Sequence, residues 1–299
     1  MRRGFSKGLR YTIDLSKIAD RENPRTVEAP MRGGEFQLTE EFFIDWGDGN
    51  TTEVPVGTTV IPTHTYADGA GDVFQVVLRN TRGQLPKIAV TETSAGTEGT
   101  NPTKNLTLAI ISVDHFAGVM GASTSSLGIA FYHCANLKYI DTRIAGGSNI
   151  TGLNSAFSRC TALEQPIKSF CLDFLSEVVS SYNAFGFTKI YGDIPDGFMD
   201  GLVRLSNAGY TFRDCGQITY MPVGLLDKCV SLSDTTYMFL NCNHQSLVSP
   251  CVFWKEDWTI DSDKHPSLTA EKTAGTFAGC NATLRAKVPT AYGGTMTVS

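Results

Sequence analysis

One short pattern returns along the second half of the chain and limits what it can fold into. Phe131-x-x-Cys134-x-x-Leu137, Phe157-x-x-Cys160-x-x-Leu163 and Phe212-x-x-Cys215-x-x-Ile218 share the form F-x-x-C-x-x-L. Phe239-x-x-Cys242, with its Leu247 displaced by two residues, and Phe277-x-x-Cys280 belong to the same set. A degenerate copy, Phe185-Gly-Phe-Thr188-Lys-Ile190, fills the gap between them. The phenylalanines are separated by 26, 28, 27, 27 and 38 residues. Near-constant steps in the twenties imply one turn of chain per unit, each burying its apolar face against the next, so a solenoid with a continuous core is expected.

In that arrangement Phe131, Phe157, Phe212, Phe239 and Phe277 form one internal ladder. Cys134, Cys160, Cys215, Cys242 and Cys280 form another. Five of the eight cysteines occupy ladder positions, and a small, weakly polar thiol suits a tight buried row better than metal binding or nucleophilic catalysis. There is no C-x-x-C, and 299 residues is too long for a small disulfide scaffold. Cys171, Cys229 and Cys251 lie off the ladder and take no assigned partner.

The first ninety residues read differently. Tyr11, Ile13 and Leu15 alternate with polar residues, as do Phe42, Ile44 and Trp46, then Phe74, Val76 and Leu78. Period-two alternation in short segments broken by Gly, Pro and Asp predicts half-buried antiparallel strands and a small β-sandwich. Asp48-Gly49 is a hairpin signal, because Gly accepts positive φ freely and Asp bonds its own backbone. Calcium would want six to eight oxygens, and this stretch offers Asp45, Asp48 and a few carbonyls. His64 has no second histidine or cysteine nearby and is expected to be hydrogen-bonded beside the turn.

The residues Asp45-Trp46-Gly47-Asp48-Gly49, His64-Thr65-Tyr66 and Gly71-Asp72-Val73-Phe74-Gln75-Val76 resemble the PKD-like family of immunoglobulin-like sandwiches. The resemblance spans roughly residues 8 to 95 and implies a spacer or docking module without catalysis; the polar insertion from Ser16 to Arg32 departs from the compact family pattern. The stretch from Thr91 to Asn105 is small and polar and reads as a linker. The expected organisation is therefore a sandwich over 1–95, a linker over 96–105 and the repeats over 106–299, mainly β with some α.

The repeat units, together with Ile194-Pro-Asp-Gly-Phe198, Met221 to Cys229 and Ser249 to Trp254, resemble BspA-like leucine-rich repeats. Such repeats occur in bacterial surface adhesins and in phage-encoded proteins, and the resemblance implies recognition of a macromolecule by an extended surface. The long step between Phe239 and Phe277 carries Trp254 and Trp258 among charges, and insertions in solenoids map to loops on one face. These tryptophans either contact a ligand or pin the loop. Tyr139 and Tyr220 each lie five residues after a ladder cysteine, and Tyr210 and Tyr237 each lie two before a ladder phenylalanine. Equal phase places them in rows, either as contact residues or as edge-of-core aromatics with wet hydroxyls.

Charge and composition exclude several classes. The net charge is −5 with 18% charged residues, which supplies no field for nucleic acid or anionic lipid. The longest apolar run, Leu106 to Val113, falls far short of the roughly 20 residues that span a bilayer, so no membrane insertion is expected. Enzyme readings would need converging groups. The candidates are carboxylates among Asp193, Asp196, Asp200 and Asp214, or Cys134 beside His133, and neighbours on an extended turn point apart. No phosphate-cradling glycine motif is present. No enzyme activity, cofactor or metal is expected.

The N-terminus has a basic start without the apolar stretch of an export signal, and the C-terminus shows neither sorting motif nor hydrophobic tail. The expectation is a phage virion component, in which residues 1–95 dock to other virion proteins and the repeats contact a host surface glycan or protein, with homo-oligomerisation open. A BspA-like adhesin on a bacterial cell surface is the alternative.

Overall fold

The computed structural model describes residues 8–31, 41–80, 84–85, 88–90, 104–117, 119–120, 126–141, 150–170, 172, 175–222, 224–242, 255 and 259–297. The protein is mainly β, with short helices only among these residues. The strands are β1 (Gly8–Asp14), β2 (Thr26–Glu28), β3 (Phe42–Asp45), β4 (Thr51–Val54), β5 (Thr63–Thr65), β6 (Val73–Arg79), β7 (Gln84–Leu85), β8 (Ile110–Ala117), β9 (Val119–Met120), β10 (Tyr139–Ile140), β11 (Tyr191–Asp193) and β12 (Gln217–Tyr220). Two short helices, α1 (Asn105–Ala109) and α2 (Ala282–Arg285), stand before β8 and near the end of the chain.

A six-stranded sheet in the order β10-β8-β1-β6-β3-β4 organises the N-terminal part, with β2 and β5 paired separately. Its alternating apolar residues Tyr11, Ile13, Phe42, Ile44, Val76 and Leu78 are buried, as strand periodicity requires. The β3–β4 hairpin turns through Gly47 and Gly49, both at positive φ, and Trp46 N–H closes it on the Asn50 carbonyl at 3.0 Å. Asp45 and Asp48 each accept a backbone N–H two residues on, from Gly47 and Asn50 at 3.0 Å.

The sheet does not stop where composition shifts. β8, which the sequence groups with the repeats, pairs antiparallel with β1 through Leu9↔Phe116 and Tyr11↔Val113. Its other edge takes β10 in parallel, through Tyr139↔Ser112. The sheet thus takes strands from both sides of the boundary expected at residue 105, and one buried apolar cluster runs from Leu9 to Tyr292. Lys104, at the end of the expected linker, is buried and donates to the Met31 carbonyl at 3.1 Å.

Beyond β8 successive coils lie in parallel, bridged at Ser126↔Gly152, Gly152↔Ser180, Ser180↔Asn207 and Asn207↔Asp234. Four N–H groups of each coil donate to carbonyls of the next, beginning with Leu127 to Gly152 at 2.9 Å and Ala208 to Asp234 at 2.8 Å. Ile129, Phe131 and His133 donate to Asn154, Ala156 and Ser158 at 2.8–2.9 Å, and Tyr210, Phe212 and Asp214 donate to Thr236, Met238 and Leu240 at 2.7–3.0 Å. All these bonds point the same way along the stack.

This direction is possible because the residues two before and two after each ladder phenylalanine are left-handed. The first set is Ile129, Ser155, Asn183, Tyr210 and Tyr237, and the second is His133, Arg159, Phe187, Asp214 and Asn241. In the last coil the same positions are Gly275 and Gly279. Positive φ at residues other than glycine is strained, and here the inter-coil ladder holds it.

Both ends of the stack are closed. Val90 N–H donates to the Ala130 carbonyl at 2.8 Å, and Phe116 of β8 meets Phe131 edge-on at 6.4 Å. At the other end Phe277 N–H donates to the Tyr292 carbonyl at 2.9 Å. The N-terminal sheet therefore caps the first coil, which a stacked-repeat core requires if its last apolar face is not to meet water.

Candidate functional site

The interior of the stack is structural. The rings of Phe131, Phe157, Phe185, Phe212, Phe239 and Phe277 stack in order with centroids 5.4–5.9 Å apart. Cys134, Cys160, Cys215, Cys242 and Cys280 are buried free thiols. Each thiol from Cys160 onward donates to a phenylalanine carbonyl of the preceding coil. The acceptors are Phe131 for Cys160 (3.0 Å), Phe185 for Cys215 (3.1 Å), Phe212 for Cys242 (2.8 Å) and Phe239 for Cys280 (3.0 Å). The ladder cysteine is thus a donor that satisfies a buried carbonyl, a role that packing alone does not explain.

Burial pushes the thiols of Cys215 and Cys280 up to about 12, and that of Cys242 well above its ordinary value. A thiolate nucleophile is out of reach there. Cys229, off the ladder, is likewise buried, raised to about 12 by burial, and donates to the Met199 carbonyl at 3.7 Å. Cys171 and Cys251 lie outside the described residues.

Two of the four carboxylates weighed for catalysis, Asp193 and Asp214, serve local bonds. Asp193 accepts from the Thr219 hydroxyl at 2.7 Å, while Asp214 accepts from Arg213 at 3.1 Å and from Asn241 at 2.8 Å. Among the described residues no group of three or more His, Cys, Asp or Glu is placed to hold a metal ion. No helix among them is long and apolar enough to cross a membrane. In the sheet, His64 Nε2 lies 2.8 Å from Asp48 Oδ2 and the ring stacks on Trp46 at 5.0 Å. The Tyr66 hydroxyl donates to the Trp46 carbonyl at 2.9 Å, so the whole motif fastens the β3–β4 turn.

The exterior is more distinctive. Most of the left-handed positions are half-buried, with Ile129 and Asn183 buried, and in three successive coils they carry or adjoin tyrosine. Tyr182, Tyr210 and Tyr237 form a row with ring centroids 5.4 and 5.2 Å apart. Arg213 lies 5.5 Å from the Tyr210 ring and 4.7 Å from Phe187, whose ring also receives Arg159 at 4.8 Å. The row ends over Gly275, where a Cβ would run into the Tyr237 ring. Families of known proteins, curated proteins and solved structures contain no match to this chain.

Of the tyrosines singled out in the sequence, Tyr210 and Tyr237 are therefore neighbours. Tyr139 and Tyr220 share a phase but not a neighbourhood, since Tyr139 lies on β10 and Tyr220 on β12 with the coils of Gln165 and Tyr191 between them. Tyr139 is 47% exposed, whereas Tyr220 is half-buried opposite Asp193. Trp254 and Trp258 lie outside the described residues. Sequence phase missed Tyr182, which is 42% exposed, because it falls three residues before its phenylalanine instead of two.

A further regularity was unread. Ser126, Asn207 and Asp234, each five residues before a ladder phenylalanine, accept the N–H two residues on at 2.9 Å, from Gly128, Gly209 and Thr236. A hydroxyl, amide or carboxyl there starts the turn segment in these three coils. That recurrence is visible in the sequence once the coils are aligned on Phe.

Proposed function

We propose that this chain is a non-enzymatic structural and binding protein, built as a PKD-like sandwich that caps a BspA-like leucine-rich-repeat solenoid. The solenoid contacts a host surface glycan or protein. The observation that carries this reading is the outward row of Tyr182, Tyr210 and Tyr237 joined through Arg213 to Phe187 and Arg159. Tyrosine and arginine dominate binding hot spots because each offers large contact area and a polar tip at modest entropic loss. Backbone strain and ring-on-ring contact hold these side chains in place before any partner arrives.

We place the protein on a phage virion. Its ladder depends on reduced thiols stacked coil on coil, and that chemistry suits a chain that folds in a reducing cytoplasm and leaves by lysis. An adhesin exported through an oxidising compartment would present the same thiols to oxidants while still unfolded. Exposed Val56, Val60 and Val73 give the N-terminal sheet apolar surface for docking to other virion proteins. Immunogold electron microscopy of purified particles tests the assignment. Label on particles is the expected result, and label confined to a bacterial envelope would transfer the protein to the adhesin class.

A further inference from the structure

The other flank of the coils, where strand segments run in parallel, holds a recess of about 510 Å³ lined by Lys138, Ala162, Glu164, Lys189 and Tyr191. Its walls come from three successive coils. Glu164 N–H donates to the Lys138 carbonyl at 3.4 Å, Lys189 N–H to Leu163 at 3.0 Å and Tyr191 N–H to Gln165 at 3.2 Å. Each lining lysine or glutamate adjoins a buried aliphatic residue, Leu137, Leu163 or Ile190, so core packing fixes where its side chain emerges.

Beside the recess, the residue after Glu164 ties two of these coils together from inside the stack. The buried amide of Gln165 takes the place of a strand peptide, accepting from Ile140 N–H at 2.9 Å and donating to the Ile140 carbonyl at 3.2 Å.

The charge of the recess runs against that of the molecule. The chain carries −5 overall, yet the recess presents two lysines, and among the described residues neither Lys138 nor Lys189 has an ion-pair partner within 4.0 Å. Glu164 stands in the same lining and is likewise outside any such pair. Tyr191 is 39% exposed at its edge. Two ammonium groups favour one anionic group, while the carboxylate accepts hydroxyls and an exposed aromatic face packs against the C–H face of a pyranose ring. An extended polyanion is disfavoured by Glu164 and by the net negative charge. A volume of this size lies within the roughly 300–1,000 Å³ of small-molecule sites.

We infer that this recess is a subsite for a carboxylated sugar of the recognised surface glycan. The inference rests on the recognition role proposed above and adds to it a location and a ligand class.

The test uses the full chain and ligand-observed NMR titration with N-acetylneuraminic acid, glucuronic acid, the methyl ester of each, and inorganic phosphate. At least one acid binds, and its methyl ester binds at least about tenfold more weakly. Lys138→Gln and Lys189→Gln each weaken the acid about fivefold, and added salt weakens it further. Lys287→Gln, at an exposed lysine outside both the recess and the tyrosine row, leaves it unchanged. No binding by either acid, equal binding of the methyl esters, equal competition by phosphate, or an unchanged affinity in the double lysine variant overturns the inference.

Attachment to host envelopes separates this failure from failure of the broader reading. If attachment persists in the double lysine variant and is lost on replacing the Tyr182, Tyr210 and Tyr237 rings, the subsite alone is wrong. If neither set of changes affects attachment, the recognition face is wrong.

Discussion

The residue that best explains the repeat is cysteine. A buried phenylalanine carbonyl already accepts an N–H from its own coil, Cys215 to Phe212 at 3.2 Å for example, and the next coil's thiol adds a second bond from Cys242 at 2.8 Å. Alanine at 242 removes both volume and donor and is expected to lower stability by about 1–3 kcal/mol in urea unfolding. Serine keeps a donor and should cost less than alanine. Equal losses would mean that the thiol acts by packing alone.

Burial raises Cys215, Cys229 and Cys280 from about 9 to about 12. A thiol whose folded value is raised keeps its proton where the unfolded chain has lost it. Its stabilisation is therefore complete below the unfolded value of about 9 and is lost as pH climbs toward 12. Urea midpoints should fall steadily between pH about 8 and about 11, with a shallower fall in Cys215→Ala. A flat profile would contradict the buried thiols.

At the scale of elements, the Gln165 amide is an irregularity in the ladder. Replacing it with leucine keeps the volume but leaves the N–H and C=O of Ile140 without their partners. The expected loss is about 2–4 kcal/mol by denaturant unfolding, and a neutral Gln165→Leu would show that the strand re-pairs without it. How much of this was legible differs by element. Alternation at Tyr11 and Ile13, or at Phe74, Val76 and Leu78, marks strands because a half-buried sheet imposes period two on the sequence. The steps between phenylalanines correspond to ring-on-ring contacts, because each coil consumes a nearly fixed length of chain.

The left-handed positions were not legible, since only the last coil marks them with glycine and the others carry Ile129, Arg159 or Tyr210. There the inter-coil hydrogen bonds override local preference. Gln165 gives no local signal either, as its role depends on a partner 25 residues away. The tyrosine row was half legible. Tyr210 and Tyr237 share a phase, while Tyr182 and the bridging Arg213 enter through side-chain reach across coils.

For the whole molecule, the composition shift near residue 100 misleads. β8 follows it yet completes the N-terminal sheet, and Phe116 and Val90 close the first coil. A core continuous from Leu9 to Tyr292 should unfold in one transition. Separate chains of residues 1–105 and 106–299 should each lose secondary structure by circular dichroism or become soluble only when mixed. Two independently folded halves would refute the capping role. The same continuity makes the exterior a stiff surface, which suits contact with something larger than the protein.

Attachment to envelopes of the host bacterium tests that recognition role most directly. The comparison is the full chain against a variant with Tyr182, Tyr210 and Tyr237 all replaced by serine, with thermal unfolding as the control for folding. The full chain should bind, and the variant should keep its unfolding transition and bind at least about tenfold more weakly. A folded variant that binds as the parent does, or a parent that does not bind at all, would contradict the proposal that this row is the recognition face.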